Sequence, residues 1–287
     1  MQIRLIALDL DGTLLDPHGR VSERNRRALA GARARGVRVA LVTGRRFRDA
    51  RPLALELGLD DVPVIAHNGA LTKHARTLET VAALLLERGA ARDVVRLGRA
   101  RGADPLVSDE HEGQGVLLYE TIDESNLSLV NYVAWARRIH GEGADESVRR
   151  VGALADYLDH DPVHVGFSGT CAAVRSLSDE VAREMGGRVK QFLTLYPRRD
   201  FGLLDVVNPL ASKGAGLAAV AAEYGLAREE VMAVGDNLND LEMLEYAGTG
   251  VVMANAEPPL RARPEFHQTA ANDEDGVALA IERFVLE

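Results

Sequence analysis

Apolar residues in this chain are distributed in two textures. Toward both ends they form short continuous runs: IRLIALDL (3–10), VRVALVT (37–43), VPVIAH (62–67), EVMAVGD (230–236) and GVVMA (250–254). Runs of that length suit strands buried on both faces of a sheet. The segments between them repeat apolar positions at helical spacing. ERNRRALAGARARG (23–36) predicts a helix capped by Ser22 and stopped at Gly36, and FRDARPLALELG (47–58) predicts a second. Strand and helix in that order predict a parallel sheet with right-handed crossovers. The pattern resumes with the strand GLLDVV (202–207), the Ser212-capped helix SKGAGLAAVAAEYG (212–225), the helix DLEMLEYAG (240–248) and a closing helix DGVALAIERFVLE (275–287).

Between 83 and 198 the texture changes. Strand-like VLLYE (116–120) and PVHVGF (162–167) mix with the helical patterns NLSLVNYVAWARRIHG (126–141) and CAAVRSLSDEVAREMG (171–186). The fold class predicted is α/β: a Rossmann-like parallel-sheet core made of 1–82 and 199–287, with an inserted α+β domain at 83–198. In open sheets of this kind, ligands bind beyond the carboxyl ends of the strands.

Composition narrows the function classes. A formal charge of −9, with 46% hydrophobic and 27% charged residues, describes an ordinary globular chain and argues against a nucleic-acid or membrane-surface binder. The arginine-rich stretch from Arg20 to Arg51 reads as solvated helix faces. A single cysteine, Cys171, excludes an internal disulfide and fits a reducing compartment; its small apolar setting predicts a buried residue. No apolar run reaches the ~20 residues of a bilayer span, and no leader pattern precedes the first strand, so a cytoplasmic protein is expected. Of the 34 Lys and Arg residues, only Lys73, Lys190 and Lys213 are lysines, which makes each lysine informative.

Polar residues cluster where the apolar runs end. In DLDGTLL (9–15), Asp9 and Asp11 lie two apart; on an extended strand their carboxylates would crowd on one side and call for a cation, although Asp-Gly also marks a simple turn. Thr43 and Gly44 place a hydroxyl and backbone N–H groups in a turn, a common way to hold phosphate oxygens and also an ordinary strand-to-helix connection. Lys213 opens a helix, where the dipole favours anions and a lysine is otherwise disfavoured unless solvated. GDNLND (235–240) adds Asp236, Asn239 and Asp240, a set that equally suits helix capping. Together, four strand ends converge on one sheet edge with carboxylates, a hydroxyl and a lysine. That combination suits Mg²⁺ bridging protein carboxylates to a phosphate. His160 and His164 have helical metal-ligand spacing, but the intervening Pro162 reads as a turn entering a strand.

With these motifs in this order, the chain resembles the haloacid dehalogenase superfamily of phosphatases: DLDGTLL, VTGR, SKG and GDNLND match its successive motifs. AHNGAL (66–71), VVMANA (251–256) and NDEDGVALAI (272–281) resemble the Cof-like subfamily, whose α/β cap corresponds in length and position to the insertion. The resemblance covers 1–82 and 199–287. It implies a Mg²⁺-dependent phosphatase acting on a small phosphate ester such as a sugar phosphate or phosphorylated cofactor. Asp9 would be the nucleophile and Asp11 the acid/base. The metal would be held by Asp9, the Asp11 carbonyl and Asp236, supported by Asn239 and Asp240. Thr43, Gly44 and Lys213 would bind the phosphoryl group, with Lys213 also steadying Asp9. Arg45 is a candidate for the anionic end of the substrate, and Asn68 and Gly69, beside His67, are candidate substrate contacts. Asp11 argues against dehalogenation, since the dehalogenase branch lacks it. A phosphomutase or phosphotransferase using the same machinery remains an alternative, and a non-catalytic phosphometabolite-binding regulator is disfavoured because the catalytic positions are intact. Oligomeric state is not legible.

Overall fold

The computed structural model describes residues 2–109, 113–140 and 147–287. They form two compact units, Met1–Ala82 with Ser212–Glu287, and Ala83–Ala211.

The first unit starts with β1 (Leu5–Asp9), α1 (Glu23–Ala34), β2 (Arg38–Val42), α2 (Phe47–Glu56) and β3 (Pro63–Ala66). Every residue of β1 and β3 is buried; their sequences are apolar throughout apart from Asp9, the last residue of β1. Ser22 caps α1, accepting from the Asn25 N–H at 3.1 Å, and Gly36 follows in the left-handed region at φ +78°. Two short strands absent from the sequence reading come next, β4 (Leu71–His74) and β5 (Thr80–Ala83). β4 runs antiparallel to β3, because the connecting residues His67, Asn68 and Gly69 all have positive φ and reverse the chain.

The inserted unit contains α3 (Arg88–Ala100), β6 (Leu106–Asp109), β7 (Val116–Tyr119), α4 (Leu127–His140), β8 (Val148–Arg150), α5 (Leu154–Tyr157), β9 (His164–Gly169), α6 (Cys171–Met185), β10 (Lys190–Tyr196) and β11 (Phe201–Val207). Its strands form one sheet in the order β10-β11-β9-β6-β7-β8. On one face Val165, Phe167, Leu204 and Val206 pack against Val94 of α3 and Leu177 of α6. On the other, Leu117 and Val148 pack against Leu129 and Val133 of α4.

Two expectations are corrected here. GLLDVV pairs with β10 and β9, so it belongs to the inserted sheet, and the second boundary moves from 198/199 to Ala211/Ser212. The reason is legible in hindsight: Gly202, Leu204 and Val206 are buried while Leu203 and Asp205 are half-buried, the alternation of a one-sided strand. Cys171 is only half-buried, at the first turn of α6, where its Sγ lies 3.3 Å from the Phe201 carbonyl.

The first unit resumes with α7 (Lys213–Glu223), β12 (Val231–Gly235), α8 (Leu241–Tyr246), β13 (Thr249–Val252), α9 (Pro258–Arg261), β14 (His267–Gln268) and α10 (Gly276–Ile281). Its sheet runs β14-β13-β12-β1-β2-β3-β4-β5, parallel from β14 to β3. The carboxyl ends of β1, β2 and β12 therefore open side by side. No helix among the described residues is long and apolar enough to cross a membrane.

Candidate active site

β1 ends at Asp9, which is 4% exposed. Lys213, the first residue of α7 and 1% exposed, sets its ammonium 2.6 Å from Asp9 Oδ1 and 2.5 Å from Asp240 Oδ1. An ammonium with no solvent access is tolerable only with such partners. Burial alone would lower the pKa of Lys213, but Asp240 and Asp9 outweigh it and hold it above the ordinary lysine value. Burial pushes Asp9 well above the usual carboxylate range, with Lys213 opposing and Asp240 and Asp236 adding to the rise. Asp236, just beyond β12, is pushed up to about 7 by burial and then by Asp240.

Asp240 itself is fully committed. Its Oδ1 accepts from Lys213, and its Oδ2 accepts the backbone N–H groups of Asp236 and Asn237, both at 2.9 Å. It shapes the loop after β12 and anchors the lysine. Asp9, Asp236 and Asp240 each bring a carboxylate oxygen within 4.8 Å of the others, so the donor set fits a hard divalent cation. Asp240 is taken up by three protein donors, while Asp9 Oδ1 accepts from Lys213 and Asp236 Oδ1 from the Thr13 hydroxyl.

Thr43, 1% exposed at the end of β2, uses its N–H on the Ile65 carbonyl at 2.8 Å, and its hydroxyl oxygen accepts the Arg45 N–H at 3.0 Å. Asp11 departs from the sequence expectation. The strand stops at Asp9, so the two carboxylates do not crowd on one face: Asp9 is buried on Lys213, whereas the Asp11 side chain is 57% exposed and paired with Arg45. Arg45, expected at the anionic end of the substrate, binds Asp11 through Nε and Nη2. Its neighbour Arg46 also departs from the solvated face expected of this stretch, being 7% exposed and paired with Asp49 at 2.9 Å.

Asn68 and Gly69 are buried, and both touch protein rather than open space. Asn68 Oδ1 accepts from Asn239 Nδ2 at 2.8 Å, and a Cβ on Gly69 would fall 1.9 Å from the Ser212 carbonyl oxygen. His67, 5% exposed, likewise turns inward, its Nε2 accepting the Phe47 N–H at 3.3 Å. His160 bonds Asp109 and Asp159, and His164 lies beside Asp205, so these histidines pair with separate carboxylates.

Sequence reasoning missed the groups that hold the loop after β1. The Thr13 hydroxyl donates to Asp236 Oδ1 at 2.7 Å. Asn255 Nδ2 donates to the Gly12 carbonyl at 2.8 Å, and Asn272 Nδ2 to the Leu15 carbonyl at 2.7 Å. The Asn272 N–H in turn donates to Asn255 Oδ1 at 2.9 Å. Their signal was present in VVMANA and NDEDG, where asparagines follow a strand end without opening a helix.

A parallel α/β unit with a buried Asp–Lys–Asp triad and a third carboxylate at the adjoining strand end defines a centre suited to phosphoryl transfer. The haloacid dehalogenase-like hydrolase family matches residues 6–281. The Bacillus subtilis protein YxeH is 32% identical over 286 residues, covering 99% of this chain and 98% of that one. The pyridoxal phosphate phosphatase YbhA of Escherichia coli is 30% identical over 269 residues, 92% of each. A haloacid dehalogenase-like hydrolase from Bacteroides thetaiotaomicron has a similar structure, with a TM-score of 0.81, 26% identity, and coverage of 98% of this chain and 99% of that one. The chain belongs to the haloacid dehalogenase-like hydrolases, of the Cof-like type. It is a phosphoric monoester hydrolase.

Proposed function

We propose that the protein is a Mg²⁺-dependent phosphatase that hydrolyses a small phosphorylated metabolite, a sugar phosphate or a phosphorylated cofactor, through an aspartyl-phosphate on Asp9. The observation that carries this reading is the buried ion pair between Lys213 and Asp9. It holds the Asp9 carboxylate in place through Oδ1 at the end of β1. The pyridoxal phosphate phosphatase among the relatives is in keeping with a phosphorylated small molecule as substrate. We take the location to be cytoplasmic, in keeping with a single cysteine.

In the first half-reaction a carboxylate oxygen of Asp9 attacks phosphorus, the ester P–O bond breaks, and Asp11 gives a proton to the leaving oxygen. In the second, Asp11 takes a proton from water as that water attacks the phosphorus, and Asp9 is released as a carboxylate with inorganic phosphate. Thr43 donates to a phosphoryl oxygen, Gly44 offers its backbone N–H, and Lys213 neutralises charge beside Asp9. Mg²⁺, held by Asp9, Asp236 and the Asp11 carbonyl, supplies neutralisation of the phosphoryl charge when bound. The inserted unit, Ala83–Ala211, is the candidate selector of the leaving group.

The test is phosphate release from a panel of phosphate esters at neutral pH, with Mg²⁺ and with chelator. Turnover that needs Mg²⁺ and is lost in Asp9→Asn supports the reading. Full turnover in Asp9→Asn overturns the covalent route. Exchange of label within a bisphosphate, without release of phosphate, overturns the phosphatase reading in favour of a mutase.

A further inference from the structure

The turn between β3 and β4 is unusual: His67, Asn68 and Gly69 have φ of +50°, +54° and +87° in succession. Left-handed backbone is costly for residues with a Cβ, and it persists where the surroundings over-determine it. Here the His67 N–H donates to the Arg45 carbonyl at 2.9 Å and the Asn68 N–H to the Thr43 carbonyl at 3.0 Å. The turn is thereby bonded to both ends of the Thr43–Arg45 segment. Gly69 lies so close to the Ser212 carbonyl that no Cβ fits, which packs the same turn against the start of α7, where Lys213 sits.

The Asn68 side chain extends this bracing to a third segment. Its amide lies against Gly44, where a Cβ would be 3.1 Å from Asn68 Oδ1 and 3.2 Å from Nδ2. Its Oδ1 accepts one hydrogen of Asn239 Nδ2 at 2.8 Å. Asn239 Oδ1 is buried and has no hydrogen-bond partner, so among the described residues Asn68 alone orients the Asn239 amide. Fixing one N–H of an NH₂ group fixes the direction of the other. The residue type follows from these demands. Glycine would make the turn without the acceptor. Aspartate would keep the acceptor but set a negative charge against the turn that is to hold an anion. Asparagine tolerates the left-handed region and meets both needs.

We propose that Asn68 is a positioning residue: it aims the free N–H of Asn239 and fixes the Thr43–Gly44 turn, so that the loops after β2 and β12 share one geometry at the phosphoryl site. The inference deepens the reading of this site as a phosphoryl-binding centre and rests on it. Asn68 acts through Asn239 and the turn, without itself touching the substrate.

The test uses Asn68→Gly, Asn68→Asp, Asn239→Ala and the Asn68→Gly/Asn239→Ala double variant of the full chain. Asn68→Gly suits the left-handed backbone and removes the acceptor, and its melting temperature, read beside the kinetics, separates loss of fold from loss of positioning. Its kcat/KM for a phosphate ester falls roughly 10- to 100-fold, the size of losing one well-aimed donor, and its affinity for inorganic phosphate with Mg²⁺ weakens in parallel. The double variant is no worse than the weaker single variant, because both remove the same interaction. The Asn239 side-chain amide signal in the ¹⁵N spectrum of the ligand-free protein, assigned by its loss in Asn239→Ala, moves in Asn68→Gly and keeps its position in Asn68→Asp. Losses that multiply in the double variant, wild-type activity in Asn68→Gly, or an Asn239 signal unmoved by Asn68→Gly would overturn the proposal. A wild-type protein that neither hydrolyses esters nor binds phosphate sinks the phosphatase reading instead, and the amide signal still reports whether Asn68 orients Asn239.

Discussion

Arg45 grips Asp11 with both arms of its guanidinium, Nε to Oδ2 at 2.7 Å and Nη2 to Oδ1 at 2.5 Å. A carboxylate accepting on both oxygens is held in one orientation, and the proton transfer proposed for Asp11 would have to use a lone pair that the guanidinium leaves open. The 38% side-chain exposure of Arg45 leaves it room to turn toward an incoming anion. Replacing Arg45 by Ala is expected to lower kcat/KM by roughly tenfold or more, in line with loss of a charged bidentate contact. Stability should change by less than about 1 kcal/mol, because the pair is solvated. Lysine restores the charge without the fork and should fall between the two. Steady-state kinetics with thermal melts checks this; unchanged kinetics in Arg45→Ala would leave the pair without a catalytic role.

Gly12 makes a second, sharper case. It adopts φ +90°, and a Cβ there would lie 2.3 Å from Asp236 Oδ2. Gly12→Ala should therefore displace a carboxylate proposed for the metal and reduce Mg²⁺ affinity and turnover by about 100-fold or more, beyond a backbone penalty of about 1–2 kcal/mol. Gly19→Ala is the control, since Gly19 has φ +74° and nothing within 4 Å. It should cost similar stability and leave turnover intact. Calorimetric Mg²⁺ titration beside the ester assay separates the two.

What the sequence made legible follows a physical rule. Asp9, Thr43 and Asp236 stand where buried apolar runs stop, and in a parallel sheet those ends converge regardless of detail; Lys213 instead opens α7, after a strand that belongs to the inserted sheet. The partition of Asp9 from Asp11 was not legible, because it depends on the strand ending one residue before Leu10. Asn68 was visible as a candidate, but its bond to Asn239 was not, since only folding brings together two residues 171 apart in the chain. Asn255 and Asn272 bond carbonyls of the first loop across even longer separations, and no local pattern encodes those bonds. The strand Phe201–Val207 was assigned to the wrong sheet because a short apolar run names a strand without naming its neighbours.

The carboxylates also set a pH dependence. Asp236 is pushed to about 7 from an ordinary value of 3.8. Between those values the metal-free folded protein holds a proton that the unfolded chain has released. Its contribution to stability therefore declines as pH rises through the window and levels off above about 7. Asp9, also raised, adds in the same direction. Mg²⁺ needs the deprotonated form, so its affinity should weaken below pH 7 by up to about tenfold per unit. Chemical denaturation of wild type and Asp236→Asn from pH 5 to 8 in chelator checks the sign: the stability of wild type relative to the variant must fall with rising pH. A relative stability that rises would contradict the desolvation and the Asp240 charge that raise Asp236.

Lys213 carries the largest energetic consequence. Its ammonium is the shared partner of Asp9 and Asp240, which are 4% and 0% exposed. Removing one member of a buried ionic group leaves uncompensated charge and typically costs about 3–5 kcal/mol. Lys213→Met keeps much of the side-chain volume and removes the charge, so that cost should appear almost in full in chelator at pH 8. It should shrink on acidification, since Asp9, already raised by burial, then takes up a proton. Added Mg²⁺ should recover part of the lost stability through Asp9 and Asp236, while turnover stays down by roughly 1,000-fold or more because the phosphoryl group has lost its ammonium. Urea titrations at pH 5 and pH 8, with and without Mg²⁺, read all of this. A loss below about 1 kcal/mol at pH 8 would mean that the two carboxylates reach solvent once the lysine is gone, and that the triad is less sealed than its geometry requires.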